Sequence, residues 1–274
     1  MFQNGLAPAK GDSLDSWGQF WRMRNSNSPT RNLLFDRFEP RDDAFLRSAL
    51  QELKLEYNKI LYEAGRPIEF IYFHTSGIAS MVKNMSDGNS AEVSTIGNEG
   101  VVGSPILFGY DTGPATVHVQ VPGEGFRMPV RAFREAIARS PALHRLMQSY
   151  AFALFNQVAQ LAACNHFHDV EQRCSRWVLM VQDRMPSDSF PLTHEVLSLM
   201  LGVRRSSVTV AAGRLSDAGL IEYRRGLVTI LDRTGLEKRS CECYRAIRHE
   251  YETLVGEWPS AARRDAAVKR ADKT

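Results

Sequence analysis

The spacing of apolar residues predicts a helix and then a run of short strands in the first half of the chain. Apolar side chains recur at helical spacing over 41–53. Further on, short apolar or alternating runs are separated by turns rich in Gly, Pro and Asn, and they predict strands at 57–61, 70–74, 78–82, 91–96, 115–121 and 126–130. Many short strands with Gly-rich turns and no intervening helix indicate a small antiparallel barrel or jelly roll.

A long amphipathic helix is predicted to follow the strands. Ser140 and Pro141 suit the N-cap and the first helical position, and apolar residues then recur at spacings of three and four for about seven turns. A helix that joins two domains has little of its own chain to pack against, so the stripe predicts a partner helix from a second copy; a core helix within one chain is the alternative. The expected dimer contacts are Leu143, Met147, Tyr150, Leu154, Val158 and Leu161.

Residues 192–219 have the pattern of two short helices around a glycine. Thr193 suits the N-cap of the first helix, and Gly202 permits the tight bend of a helix-turn-helix. The second helix is predicted to begin near Arg204 and to end at Gly219. In a helix-turn-helix the first turns of the second helix enter the major groove, where arginine donates two hydrogen bonds to guanine and Ser or Thr contacts a base or a phosphate.

Two short strands around Arg224, Arg225 and Gly226 predict a hairpin directly after these helices. The net charge is only +3, but arginines cluster between residues 204 and 225, as a phosphate-facing surface requires. Helix-turn-helix, basic helix and basic hairpin together predict a DNA-binding surface. The expected base contacts are Arg205, Ser206 and Thr209, and the expected phosphate contacts are Thr193, Arg204, Ser207, Arg214, Arg224 and Arg225.

The composition fits a soluble globular protein of one large or two ordinary domains, with 274 residues, 43% apolar and 24% charged. No apolar run approaches the length of a bilayer span, and the N-terminus lacks the order of a signal peptide. We therefore expect a cytoplasmic protein with no membrane partner. Since the sequence contains no hydrolase elbow, P-loop or metalloprotease pair, no enzymatic activity and no cofactor are expected.

From about residue 30 to residue 240, the order of parts resembles the Crp/Fnr family of bacterial regulators. The residues THEVLSLMLGVRRSSVT at 193–209 are similar to the family's DNA-binding motif, and GLIEYRRG at 219–226 is similar to its wing. The resemblance implies a cyclic-nucleotide-binding-like β-roll, a dimer helix and a homodimer on a two-fold-related DNA site, with RNA polymerase as a further partner. Arg205 lies where the family has its main base-contacting arginine, whereas the next position, often acidic in the family, is Ser206.

Together these features predict an α+β fold with an antiparallel, jelly-roll-like β-roll, a long dimerisation helix and a winged helix-turn-helix. The expected segments are a flexible arm at 1–29, the sensor domain at 30–140, the dimerisation helix at 141–168, the winged helix-turn-helix at 169–238, and a C-terminal helix with a disordered tail at 239–274. The predicted function is a homodimeric, sequence-specific transcription regulator. The alternative is a small-molecule-binding or protein-interaction module, which predicts no steep salt dependence with DNA.

The sensor half departs from the family where members that bind cyclic nucleotides hold the ribose and the phosphate. The residues expected to line a ligand pocket are Gly103, Ser104, Ala115 and Thr116. Ser104 replaces the family's glutamate, and Pro114 replaces its arginine. Because a hydrogen bond to a charged group contributes roughly 1.5–3 kcal/mol, losing both should weaken cyclic-nucleotide binding by at least about a hundredfold. We expect an unknown effector other than cyclic AMP.

The cysteines are expected to be inert buried thiols, with a redox switch at 241–243 as an alternative; they are Cys164, Cys174, Cys241 and Cys243. Cys164, His166 and His168 are close in sequence, which suggests zinc. However, a helix cannot direct residues two apart at one ion, and no second pair has zinc-finger spacing. No metal site is therefore predicted at these residues.

Two other sensor chemistries are also not expected. An iron–sulfur sensor of this family carries an N-terminal cysteine cluster, and no cysteine precedes Cys164. His74 and His118 are available as haem ligands, but strand histidines are more often hydrogen-bonded or on the surface.

Overall fold

The computed structural model describes residues 32–38, 40–185, 187–256 and 258–259. The predicted arm at 1–29 and the part of the predicted tail after residue 259 lie outside these residues. Within them, the chain forms a β-roll, a long helix that lies along it, and a C-terminal unit of helices and short strands. This order of parts confirms the predicted α+β architecture.

The β-roll consists of two four-stranded antiparallel sheets, with strand orders β1-β8-β3-β6 and β2-β7-β4-β5. Helix α1 (Pro40–Ala49) and two 3-10 helices, Leu33–Arg37 and Ser104–Phe108, accompany them. The strands are β1 (Gln51–Leu55), β2 (Ile60–Tyr62), β3 (Phe70–His74), β4 (Ile78–Asn84), β5 (Ser90–Ile96), β6 (Val101–Val102), β7 (Thr116–Val121) and β8 (Gly123–Pro129).

Two sequence-based boundaries in this region are wrong. The helix predicted at 41–53 stops at Ala49, and the next residues form β1, which pairs with β8. Leu53 fits both patterns, because it continues the helical spacing of Leu46, Ala49 and Leu50 and also alternates with Leu55. Long-range pairing therefore decides the conformation. The strand predicted at 57–61 begins only at Ile60, because Asn58 has a left-handed φ of 61° in the preceding turn. The sequence pattern also missed β6 and helix α2 (Val130–Arg139).

Helix α3 (Pro141–Phe167) begins where the sequence predicts it. Ser140 is its N-cap, and the Ser140 Oγ accepts the N–H of Leu143 at 3.1 Å. Two buried hydrogen bonds hold the helix against the β-roll. The Tyr150 hydroxyl donates to the carbonyl of Val101 at 2.9 Å, and the Gln157 amide donates to the Ser94 hydroxyl at 2.6 Å.

Most of the predicted dimer contacts on α3 are buried inside the chain. Helix α8 (Cys243–Leu254) packs along α3, and the ring centroids of Tyr150 and Tyr251 lie 6.4 Å apart. Val158 is half-buried, whereas five side chains are at most 5% exposed: Leu143, Met147, Tyr150, Leu154 and Leu161. The prediction that these five meet a second copy is therefore wrong, because the C-terminal helix of the same chain and the β-roll cover them.

The C-terminal unit begins with α4 (Val170–Asp183), whose N-cap Asp169 forms a capping box with Gln172. The remaining elements are β9 (Ser189–Pro191), α5 (His194–Leu201), α6 (Arg205–Asp217), β10 (Ile221–Arg224), β11 (Leu227–Ile230), α7 (Arg233–Arg239) and α8. The strands form one antiparallel sheet in the order β10-β11-β9, of which β9 was not predicted. Among the helices of the described residues, none is both long and apolar enough to cross a membrane.

Candidate nucleic-acid interface

Helices α5 and α6 form the predicted helix-turn-helix around Gly202. The Thr193 Oγ accepts the N–H of Val196 at 3.1 Å, so the residue is the N-cap of α5. Gly202 ends this helix with a φ of 61°, a left-handed conformation that glycine adopts without steric cost. Leu201 and Val208 are buried where the two helices pack. The local sequence therefore sets where α5 ends and where the chain turns into α6.

The first turn of α6 presents an exposed basic surface. Arg204 is its N-cap residue and Arg205 its first helical residue, and both are exposed together with Ser206. Ser207 is half-buried on the neighbouring face. Unsatisfied N–H groups at the start of a helix add partial positive charge to that of the two arginines. This turn is therefore suited to a polyanion.

The Thr209 hydroxyl is already engaged in hydrogen bonds within the chain. Its Oγ1 lies 3.1 Å from the carbonyl of Arg205 and 3.1 Å from Nδ1 of His194. The His194 ring packs against Tyr223 on β10, with centroids 4.5 Å apart, and so joins α5, α6 and the hairpin. The pKa of His194 is lowered, first by burial and then by the charge of Arg205. A neutral ring at pH 7 follows from this shift.

Strands β10 and β11 form the predicted wing, with Arg225 and Gly226 as its two-residue turn. Both turn residues have positive φ, 49° and 78°, as a type I′ hairpin requires. Arg225 thus lies at the tip. Arg224 is also exposed, but its Nη2 lies 2.8 Å from a carboxylate oxygen of Glu222.

Arg214 lies apart from the other predicted phosphate contacts. It is in the last turn of α6, whereas Arg204 and Arg205 are at its start. Its Nη1 lies 3.6 Å from a carboxylate oxygen of Glu171, at the start of α4. Glu171 is also paired with Arg239, at 2.9 Å.

The predicted pocket residues surround the 3-10 helix Ser104–Phe108 and the start of β7. Gly103 precedes this helix with a φ of 119°, and an added Cβ would lie 2.4 Å from Ile71 Cδ1. Ser104 and Ala115 are buried, and the half-buried Thr116 accepts the N–H of Ala64 at 3.2 Å.

One cation near this segment was not expected from the sequence. The Lys83 ammonium on β4 donates at 2.7 Å to the carbonyl of Pro114, the residue that stands where the family has arginine. On the other side, the Tyr62 ring lies close to Gly113, where an added Cβ would be only 2.8 Å from the ring. The segment therefore has a lysine nearby, but its charge is directed to the backbone.

A buried ion pair joins the β-roll to the end of α4. Nε and Nη2 of Arg184 donate to the Glu99 carboxylate at 2.8–3.0 Å, and both side chains are fully buried. The Arg184 guanidinium lies over the ring of Trp258 at 4.6 Å, and the Trp258 indole donates to Asp183 at 2.7 Å. The C-terminal segment therefore covers this contact between the two halves of the chain.

A second buried carboxyl, Glu92 on β5, lies where the sensor meets the helix-turn-helix. It accepts the indole N–H of Trp177 on α4 at 2.9 Å and the hydroxyl of Ser80 at 2.5 Å. Ser80 also contacts the sulfur of Met200 on α5 at 3.6 Å. Burial raises the pKa of Glu92 to about 7, although its hydrogen bonds oppose the shift. Neither this carboxyl nor its partners stood out in the sequence.

The two sensor histidines have different environments. His118 is buried and lies 3.3 Å from the Gln120 side chain, which agrees with the expectation of a hydrogen-bonded histidine. His74 is fully buried, and neither ring nitrogen has a hydrogen-bond partner among the described residues, so the expectation is wrong for His74. Burial lowers the pKa of His74 to about 4.

The fold and the basic surface define a class of protein. A β-roll sensor is packed on a winged helix-turn-helix that exposes arginines on its second helix and at its wing tip, and this is the architecture of a ligand-sensing type of DNA-binding regulator. The family model of the cyclic nucleotide-binding domain matches residues 52–140, and that of the Crp-like helix-turn-helix domain matches residues 172–239. Together they match more than half of the chain, which belongs to the Crp/Fnr family of transcription regulators.

Solved structures share this fold at low sequence identity. A protein from Eubacterium rectale described as a transcriptional regulator of the Crp/Fnr family has a TM-score of 0.60 at 15% identity, over 75% of this chain and 96% of its own. FixK2 from Bradyrhizobium japonicum has a TM-score of 0.59 at 14% identity, over 70% and 98%. The c-di-GMP-responsive regulator CLP from Xanthomonas campestris has a TM-score of 0.56 at 17% identity, over 70% of this chain and 99% of its own. A search of curated proteins gives no match to this sequence.

Proposed function

We propose that this protein regulates transcription as a homodimer that binds a two-fold-related DNA site in the cytoplasm. The observation that carries the proposal is the exposed first turn of α6, where Arg204, Arg205 and Ser206 are presented beside the wing. We infer RNA polymerase as its further partner. A dimer places two copies of this turn about one helical turn of DNA apart.

We assign base contacts to Arg205 and Ser206, which are the first two residues of α6 and are exposed. Thr209 has its hydroxyl occupied by Arg205 and His194, so it offers its methyl group to thymine. We assign phosphate contacts to Arg204 and Arg225, together with Ser207 and the cap residue Thr193. Arg224 would first exchange its ion pair with Glu222 for a phosphate, and Arg214 is at most a peripheral contact because Glu171 holds it.

The outer face of α3 is the dimer surface that we propose in place of the predicted stripe. Phe152 and Phe155 are 54% and 64% exposed, and their rings are stacked with centroids 6.4 Å apart. Ala159 and Ala162 continue the exposed stripe, so that the spacings are three, four and three residues, as in a coiled-coil seam. Large exposed aromatic side chains on one helix face favour a second copy of the same helix as their partner.

Cyclic AMP is not the proposed effector, since Ser104 and Pro114 replace the groups that hold it and Lys83 is bonded to the backbone. Calorimetry with cyclic AMP tests this point. Saturable binding in the micromolar range would contradict it.

The salt dependence of DNA binding tests the function itself. Binding of the full chain to a generic duplex, followed by fluorescence anisotropy, should weaken steeply with salt, with a log–log slope of about −0.9 for each phosphate contacted. Arg204→Ala should reduce the slope by about 1, whereas Arg131→Ala, which removes an exposed arginine of the sensor, should leave it unchanged. A flat salt dependence would instead favour a module that binds small molecules or proteins.

A further inference from the structure

Three of the four cysteines converge with one histidine at the base of the winged helix. Cys164, His168, Cys241 and Cys243 place their ligand atoms within 4.8 Å of one another, and we call this set the Cys3His cluster. Cys164 Sγ lies 3.5 Å from Cys241 Sγ, and Cys243 Sγ lies 3.5 Å from His168 Nδ1. The three cysteines are buried and form a group apart from the main hydrophobic core. Such a set has the donor atoms of a metal site.

The backbone at His168 is not helical, so the objection that a helix cannot direct these residues at one ion does not apply. Helix α3 ends at Phe167, and His168 is its C-cap with extended dihedral angles, φ −106° and ψ 144°. Helical geometry therefore does not restrict where the His168 ring is directed. His166 is exposed and is not a member of the cluster. The second ligand pair is Cys241, which lies between α7 and α8, and Cys243, which is the first residue of α8. The expectation of no metal ligands here overlooked this pair because it lies far away in sequence.

We propose that the Cys3His cluster binds one zinc ion as a closed, structural site. Structural zinc takes four ligands in a tetrahedron, with Zn–S near 2.3 Å, which places sulfur atoms about 3.8 Å apart. The separations of 3.5 Å to 4.8 Å within the cluster meet this requirement with small side-chain movements. Three thiolates and an imidazole are a known zinc ligand set, whereas calcium and magnesium require oxygen ligands.

The groups around the cluster are those that support metal ligands. His168 directs Nδ1 towards Cys243, and its Nε2 lies 3.1 Å from a carboxylate oxygen of Glu242. A carboxylate behind a metal-binding histidine fixes the ring and makes the ligand nitrogen more basic. The Gln160 amide donates to Cys243 Sγ at 3.0 Å, which stabilises a thiolate at this position.

The charges nearby also favour an anionic site. Arg173 and Arg176 are only 7% and 4% exposed, and Nε of each has no hydrogen-bond partner among the described residues. Both arginines interact electrostatically with Cys164. A zinc ion with three thiolates carries one net negative charge, and buried charges require such a counter-charge.

A zinc ion here would join two distant parts of the chain. Cys164 and His168 lie at the end of the long helix α3, and Cys241 and Cys243 lie at the start of the C-terminal helix α8, which packs along it. The whole winged helix-turn-helix lies between these two pairs in sequence. Metal binding therefore closes a long loop at its base and fixes the DNA-binding unit to the helix that we assign to dimerisation.

The metal content of the purified, untagged full chain tests the proposal. We expect one zinc per chain by elemental analysis, and visible ligand-field bands of tetrahedral cobalt thiolate after exchange with Co²⁺. Cys243→Ala should lose both signals, whereas Cys174→Ala should retain them, because Cys174 is an equally buried thiol outside the cluster.

A second variant covers the case in which a cysteine variant fails to fold. Glu242 is 76% exposed at its side chain, so Glu242→Gln should leave the unfolding temperature in excess zinc unchanged. It should weaken zinc affinity about tenfold to hundredfold in competition with a chelator. Glu252→Gln, an exposed carboxyl on the same helix, should have no effect on the affinity.

Three results would overturn the zinc site. The first is a folded full chain with four titratable thiols that binds neither Zn²⁺ nor Co²⁺. The second is iron together with labile sulfide in place of zinc. The third is a disulfide between Cys164 and Cys241 in protein purified under reducing conditions.

Discussion

We expect discrimination between bases to depend more on Arg205 than on any other side chain of α6. It is the first helical residue of α6 and is exposed. Arg205→Ala should cost about 1–3 kcal/mol in binding to the specific site and relax the preference at one base. Competition binding with single-base variants of the site measures both effects, with Arg131→Ala as the control for charge. An equal loss on specific and random DNA would mean that Arg205 contacts only the backbone.

Glu92 makes the stability of the folded chain depend on pH. Because its pKa is about 7 in the folded chain and 4.5 ordinarily, the folded state retains a proton between these values that the unfolded chain has released. The free energy of unfolding should therefore fall as the pH rises from 4.5 to 7. Glu92→Gln keeps an oxygen that accepts from Trp177, its amide can donate to the Ser80 oxygen, and the variant should remove this dependence.

Urea unfolding at several pH values measures this effect. The stability of Glu92→Gln relative to the unmodified protein should rise by on the order of 3 kcal/mol between pH 4.5 and pH 8. Glu52→Gln on β1, an exposed carboxyl, serves as the control and should show no such trend. Parallel pH profiles for Glu92→Gln and the unmodified protein would show that Glu92 ionises normally.

At the scale of residues, the sequence predicts what depends on neighbours in the chain. The Thr193 and Ser140 caps and the bend at Gly202 are set within a few residues, and the structure confirms them. By contrast, the contact of His194 with Tyr223 and the burial of Glu92 beside Trp177 join distant segments. No local pattern marks such contacts.

At the scale of elements, α3 has two apolar faces with different partners. Phe155 lies on the outer face, and Phe155→Glu should convert a dimer to a monomer because two carboxylates would meet across the two-fold axis. Sedimentation velocity measures the change. Met85→Glu, at an exposed methionine in the turn between β4 and β5, should leave the dimer intact. A Phe155→Glu protein that stays dimeric would place the interface on another surface.

The two faces of α3 also show the limit of periodicity as a predictor of elements. The pattern that includes Met147 and Leu154 predicts the helix correctly, but it cannot tell an intramolecular partner from a second copy. In the structure, the residues of that stripe pack against the β-roll and α8 of the same chain. For the same reason the residues of β1 fit a helical pattern, and only pairing with β8 makes them a strand.

At the scale of the whole molecule, buried polar contacts join the sensor to the DNA-binding unit. Glu99 and Arg184 form a fully buried ion pair between the two halves, and Trp258 covers it from the C-terminal segment. A conformational change in the β-roll near Glu92 or Glu99 would therefore alter contacts with α4 and α5. The order of domains was predictable from the sequence, but this connection and the Cys3His cluster were not, because their members lie far apart in the chain.

Selection of bound sequences from a random duplex DNA pool, with the purified full chain and no added ligand, measures sequence-specific DNA binding directly. We expect a palindromic motif with half-sites about one helical turn apart, and loss of the preference at one base of each half-site with Arg205→Ala. A pool that remains random after repeated rounds at moderate salt would contradict the claim that this chain is a sequence-specific, dimeric DNA-binding regulator.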